Sequence, residues 1–161
     1  MLVVKEKLNK QEGMSGNIKN EYQIFVDGAY SSLRNQGGVG IVFIKNEEKV
    51  FEYNKTLINT TNNRCELYAV TKALQSISNS IDKVTIYSDS QYVIGTITKG
   101  WKRNKNKDLW ESFDKYYKKA QQNCKNISFE WVKGHSKEYS EFAKWNDLAD
   151  RLAVEASQNL L

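Results

Sequence analysis

Tyr22-Gln23-Ile24-Phe25-Val26-Asp27-Gly28 is an apolar run that ends on a carboxylate, and Val84-Thr85-Ile86-Tyr87-Ser88-Asp89 ends the same way. Short runs rich in β-branched and aromatic residues read as strands. Glu66 shares a helical stripe with Val70, Ala73 and Ile77, which turns it inward. Asp150 follows Asn146 by four residues in a second helical pattern. Carboxylates normally stay in water, because an unpaired buried charge is costly or is neutralised. Four of them sent to strand ends and inner helix faces point to bound cations. Oxygen ligands drawn from separate elements suit Mg²⁺ or Mn²⁺, and sites of that kind commonly serve phosphate chemistry.

Outward from the first run, a polar loop at 28–36 leads to Gly37-Gly38-Val39-Gly40, which reads as a tight turn, since no helix follows to make a phosphate loop. The strand Ile41–Lys45, a turn at Asn46-Glu47-Glu48-Lys49 and the strand Val50–Thr56 complete an antiparallel meander. The period then becomes helical. Thr61 or Asn62 can cap a helix through Leu67, Val70, Leu74 and Ile77. The strand Lys83–Ser88, a short helix Gln91–Thr98, a basic helix from Asp108 to about Asn123, the strand Ile127–Val132 and a last helix Phe142–Gln158 follow. This order predicts an α/β fold: a mixed five-stranded sheet, a three-strand antiparallel meander plus helix-linked parallel strands, with helices on both faces.

The 161 residues, 40% hydrophobic and 27% charged, make one globular domain, expected at 21–161 behind a polar, flexible N-terminal tail at 1–20. No apolar stretch approaches the ~20 residues that span a bilayer, and the N-terminus lacks the apolar core of a secretory signal. Cys65 and Cys124 form no metal-ligand spacing; both read as buried helical residues in a reducing compartment, so a cytoplasmic location without membrane contact is expected. The net charge of +5 is local: residues 99–125 carry nine Lys/Arg against three acids, which leaves the remainder at −1. That is either the footprint of a phosphate-backbone contact or a solvated helix face. Trp101 and Trp110 beside it favour nucleic acid, though either fits a core equally well.

The carboxylates sit within longer strings: Phe25-Val26-Asp27-Gly28, Thr60-Thr61-Asn62-Asn63-Arg64-Cys65-Glu66-Leu67, Tyr87-Ser88-Asp89-Ser90-Gln91-Tyr92-Val93, Trp131-Val132-Lys133-Gly134-His135 and Asn146-Asp147-Leu148-Ala149-Asp150-Arg151-Leu152-Ala153. Singly each has a bland reading. Asp27-Gly28 is a common turn pair, Ser88-Asp89-Ser90 a helix cap, and a lone loop histidine is unremarkable. In this order, over about residues 22–157, they closely resemble ribonuclease H of type 1, the endonuclease that cuts RNA in an RNA–DNA hybrid.

The resemblance implies that Asp27, Glu66, Asp89 and Asp150 hold two Mg²⁺ ions, with Mn²⁺ as an accepted substitute. In that arrangement ions ~3.5–4 Å apart clamp the attacking and leaving oxygens of an in-line displacement, leaving 5′-phosphate and 3′-hydroxyl ends. It makes His135 an aid to proton transfer or product release. It assigns Asn62, Asn63 and Gln91 to groove and ribose atoms and Thr61 to a DNA phosphate, with Lys102 and Arg103 in the basic handle. Contacts of this kind fix register without reading sequence. A monomer acting on RNA–DNA hybrid, largely independent of sequence, is the expectation. Asp147, one turn from Asp150, competes for the fourth ligand position. Two departures stand out. The additional basic helix of longer members is missing between Thr98 and Leu109, and Asn59 stands where some members place an arginine. The competing readings are another nuclease of the same fold and a hybrid-binding module without catalysis.

Overall fold

The computed structural model describes residues 20–78, 80–134 and 140–159. The expected N-terminal tail, apart from Asn20, and His135 lie outside the described residues. The chain runs β1 (Glu21–Ser31), β2 (Gln36–Lys45), β3 (Glu48–Ile58), α1 (Asn62–Gln75), β4 (Ile81–Ser88), α2 (Gln91–Lys99), α3 (Lys107–Asn123), β5 (Cys124–Trp131) and α4 (Glu141–Ser157). The strands form one sheet in the order β3-β2-β1-β4-β5. β1 pairs antiparallel with β2 and parallel with β4, and β4 pairs parallel with β5. This is the expected mixed sheet.

Three expectations are corrected. The Gly37–Gly40 cluster is not a turn; it lies inside β2, and β1 continues through Ser31, so the connection shrinks to residues 32–35. The reason is α4, which packs directly on this part of the sheet: a Cβ at Gly40 would stand 2.2 Å from the carbonyl oxygen of Ala149. Glycine in a strand interior often marks such a close backbone approach. Cys124 opens β5 instead of ending a helix, although both cysteines are buried.

Each face of the sheet has its own core. On one side Ile24, Val26, Ile41, Val84 and Ile86 meet Leu67, Val70 and Leu74 of α1 and Trp110 and Phe113 of α3. On the other, Phe25, Val42, Ile44 and Tyr87 meet Trp145 and Ala149 of α4. Full burial of such side chains contributes about 1.5–3 kcal/mol each relative to exposure, so the helices are fixed where the site needs them. Trp110 is therefore core, whereas Trp101 is 46% exposed.

Caps set where three helices begin. Thr61 Oγ1 accepts from Arg64 N (3.2 Å), Ser90 Oγ from Val93 N (3.1 Å) and Ser140 Oγ from Ala143 N (3.0 Å). Losing such a cap typically costs about 1 kcal/mol. Between α2 and α3, residues 100–106 form an irregular connection with no helix, as the shortened basic segment predicts.

Candidate active site

Asp27 lies inside β1 opposite Gly40 of β2, one residue beyond the pairing of Val26 with Ser88 of β4. Asp89 follows the end of β4 directly. Glu66 is on the second turn of α1, turned toward the sheet and 4% exposed; Asp27 is 3% exposed. One carboxylate oxygen from each of Asp27, Glu66 and Asp89 lies within 4.8 Å of the other two. Asp150, from α4, lines the same polar pocket of about 460 Å³, together with Asn62, Asn63 and Gln91. Asp147 is exposed on α4 and does not line it. A larger groove at the starts of β4 and β5, the opposite end of those strands, shares none of these residues.

The backbone of Gly28 joins the first two acids. Its N–H is shared between Asp27 Oδ1 (2.9 Å) and Glu66 Oε1 (3.1 Å). Glu66 Oε2 is buried and has no hydrogen-bond partner among the described residues. Burial pushes the Asp27 carboxyl far above the usual carboxylate range, and the charges of Glu66 and Asp89 push the same way. Burial also raises Glu66, with Asp89 adding to the effect, while hydrogen bonds from Asp27 and Gly28 oppose it. Two buried acids this close cannot both ionise without a counter-charge, so without metal they share a proton. A divalent cation fits this donor set: it supplies the charge and occupies the orphaned oxygen, and oxygen-only ligands suit Mg²⁺.

Tyr92 also lines the pocket, beside Gln91, and is not among the residues that the sequence marks for function. Its position one residue after Gln91 at the start of α2 is the signal that could have found it. Lys102 is exposed on the 100–106 connection, as are Lys105 and Lys107 nearby. Arg103 is differently placed. Its Nη1 donates to both oxygens of Asp114 (2.9 and 2.7 Å), and its guanidinium lies 4.6 Å from the ring centre of Trp110. Neither Lys102 nor Arg103 lines the carboxylate pocket.

Residues 19–158 match the family model described as RNase H. The chain belongs to the ribonuclease H family. It is 38% identical over 157 residues to the ribonuclease H of Trichodesmium erythraeum, covering 88% of this chain and 92% of that one. Ribonuclease HI of Haemophilus influenzae is 35% identical over 156 residues, with 88% and 93% covered. Among solved structures, RNase H1 from the archaeon Halobacterium salinarum superposes with a TM-score of 0.66 at 25% identity, covering 84% of this chain and 96% of that chain. The mixed sheet is thus the ribonuclease H fold, and family membership makes this chain a metal-dependent endoribonuclease that acts on the RNA of RNA–DNA hybrids. Among the described residues no helix is long and apolar enough to cross a membrane.

Proposed function

We propose that this ribonuclease H hydrolyses the RNA strand at the Asp27–Glu66–Asp89–Asp150 pocket with two divalent ions, Mg²⁺ by preference and Mn²⁺ as a substitute, leaving 5′-phosphate and 3′-hydroxyl ends. The observation that carries this reading is the convergence of Asp27, Glu66 and Asp89 within 4.8 Å, with a buried Glu66 oxygen unmatched. When bound, such ions activate a water for attack on phosphorus and stabilise the departing ribose oxygen. The protein's own part is to hold the four acids on rigid elements of the sheet and helices. Gly28 N–H keeps Asp27 and Glu66 facing the same point.

Substrate choice follows from the pocket rim. Asn62 and Asn63 at the start of α1 and Gln91 at the start of α2 flank the acids, and amide side chains both donate to and accept from ribose hydroxyls. A hybrid presents those hydroxyls along one strand of a wide, shallow groove, so recognition follows shape and sugar, and cleavage is largely sequence-independent. Thr61 reaches a DNA phosphate, Lys102 adds long-range attraction, and His135 assists proton transfer. The protein acts as a cytoplasmic monomer, with residues 21–161 as the catalytic domain and the preceding residues as a tail.

A labelled hybrid, duplex DNA, duplex RNA and single-stranded RNA, each incubated with Mg²⁺, Mn²⁺ or EDTA, tests the proposal. Cleavage confined to the RNA of the hybrid, present with either ion and absent with EDTA, is the expected result. Cutting of duplex DNA, or activity in EDTA, would overturn it.

A further inference from the structure

We propose that the end of β5 positions Asp89 for metal, with Trp131 and Gly134 as the positioning residues. The inference rests on the metal-binding reading above. Asp27 and Glu66 are buried within β1 and α1, whereas Asp89 is half-buried at the junction between β4 and α2, outside both elements. A carboxylate on a junction keeps a ligand geometry only where neighbouring groups hold it, because outer partners orient metal ligands and set affinity.

β5 and the residues just after it supply that hold in three contacts. Val132 N–H donates to the Ser88 carbonyl oxygen (2.9 Å), which carries the β4–β5 pairing one rung beyond Trp131. The Trp131 indole Nε1 donates to the carbonyl oxygen of Asp89 itself (3.1 Å). Gly134 then lies against the Asp89 carboxylate: a Cβ there would stand 2.7 Å from Oδ2, well inside van der Waals contact. The backbone at 134 is outside the left-handed region, unlike that of Gly100 (φ 68°). An L-residue would therefore fit the backbone, and what glycine provides at 134 is the space that the carboxylate takes. Trp131 is 45% exposed and belongs to neither core, so its indole is placed for the Asp89 carbonyl and not for packing. One strand end thus fixes Asp89 twice, by its backbone and by its side chain.

Contacts that served stability alone would move the melting temperature and leave metal affinity unchanged, so the test reads the two separately. Trp131→Phe removes the indole donor and keeps an aromatic ring. Gly134→Ala fills the space beside Oδ2. Thermal melts of the parent and both variants, in EDTA and over a series of Mg²⁺ concentrations, give metal-free stability and an apparent Mg²⁺ dissociation constant without substrate. The Mg²⁺ concentration for half-maximal cleavage of a labelled hybrid is the second readout. The dissociation constant should rise about fivefold in Trp131→Phe, the equivalent of one hydrogen bond. In Gly134→Ala it should rise about tenfold, as for other groups that orient a metal ligand. The half-maximal Mg²⁺ concentration should rise in step. Parent-level Mg²⁺ affinity in either variant overturns the proposal, whether or not the melting temperature in EDTA falls. If Gly134→Ala does not fold, Trp131→Phe alone decides. A parent that Mg²⁺ does not stabilise would instead refute the metal-binding reading, and this inference with it.

Discussion

Gly28 and Glu66 are in backbone contact: a Cβ at position 28 would stand 2.4 Å from the Glu66 nitrogen, and Gly28 N–H donates to Glu66 Oε1 at 3.1 Å. The strand and α1 therefore meet with no side chain between them at the point where two acids converge. Gly28→Ala must push α1 off β1. The expected cost is about 1–3 kcal/mol, as for other overpacked interiors, with cleavage lost disproportionately. Comparison of denaturant midpoints with specific activity checks this; a variant that is active at the parent level would show that the two backbones separate easily.

Asp89→Asn removes one of the clustered charges and keeps the side-chain shape. Cleavage should vanish. In EDTA the variant should be as stable as the parent or more stable, by on the order of 1 kcal/mol, because like-charge repulsion is relieved. Mg²⁺ should raise the parent's melting temperature more than the variant's, since only native-state binding stabilises. A variant clearly destabilised in EDTA would make Asp89 a structural residue.

The raised Asp27 and Glu66 fix the sign of the pH dependence. A carboxyl whose folded pKa lies above its unfolded value binds protons more strongly when folded. Its contribution is complete below the unfolded value of about 4 and is lost as pH rises through the raised folded value. Metal-free protein should therefore be more stable at pH 5 than at pH 8 as far as these groups decide. Mg²⁺ needs the ionised acids, so its stabilisation should grow over the same range. Urea titrations at both pH values, with EDTA and with Mg²⁺, would show the two slopes; matching slopes would mean that the pair is not the metal-binding group.

Lys102, Lys105 and Lys107 are exposed, whereas Arg103 is held by Asp114 and Trp110. Replacing the three lysines with Ala should weaken hybrid binding and lower the log–log salt slope by roughly 0.9 for each phosphate that no longer meets a lysine. Arg103→Ala should mainly lower the melting temperature. The reverse pattern would place Arg103, not the lysines, on the nucleic acid.

A single ribonucleotide in duplex DNA should be cut far more slowly than a continuous hybrid if Asn62, Asn63 and Gln91, which flank the acids from two helices, engage several riboses together as proposed. Equal rates on both substrates would refute the multi-ribose reading.

Much of this was legible because three of the acids carried a local mark. Asp27 and Asp89 close apolar runs, and Glu66 falls on an apolar helical stripe, which period alone reveals. Asp150 bears no such mark, since Asp147 lies one turn away with an equal claim; the family resemblance separates the two, and of the pair Asp150 lines the pocket. The glycines of β2 misled because a strand buried on both faces shows no alternation, so Gly37–Gly40 looked like a turn. What Gly38 and Gly40 accommodate, α4, lies more than a hundred residues away in sequence. Arg103 was equally opaque: its partner, Asp114, is fixed by where the 100–106 connection runs, and no short-range pattern encodes that path.

The packing of α4 on β2 has a consequence for how the molecule comes into being during synthesis. β2 is apolar along most of its length and closed on one side only by the final helix of the described chain. Until that helix emerges and docks, a nascent polypeptide exposes an aggregation-prone strand and holds only three of its four acids. The helix that shields the strand also brings Asp150, so protection from misassociation and acquisition of the full carboxylate set arrive in one event.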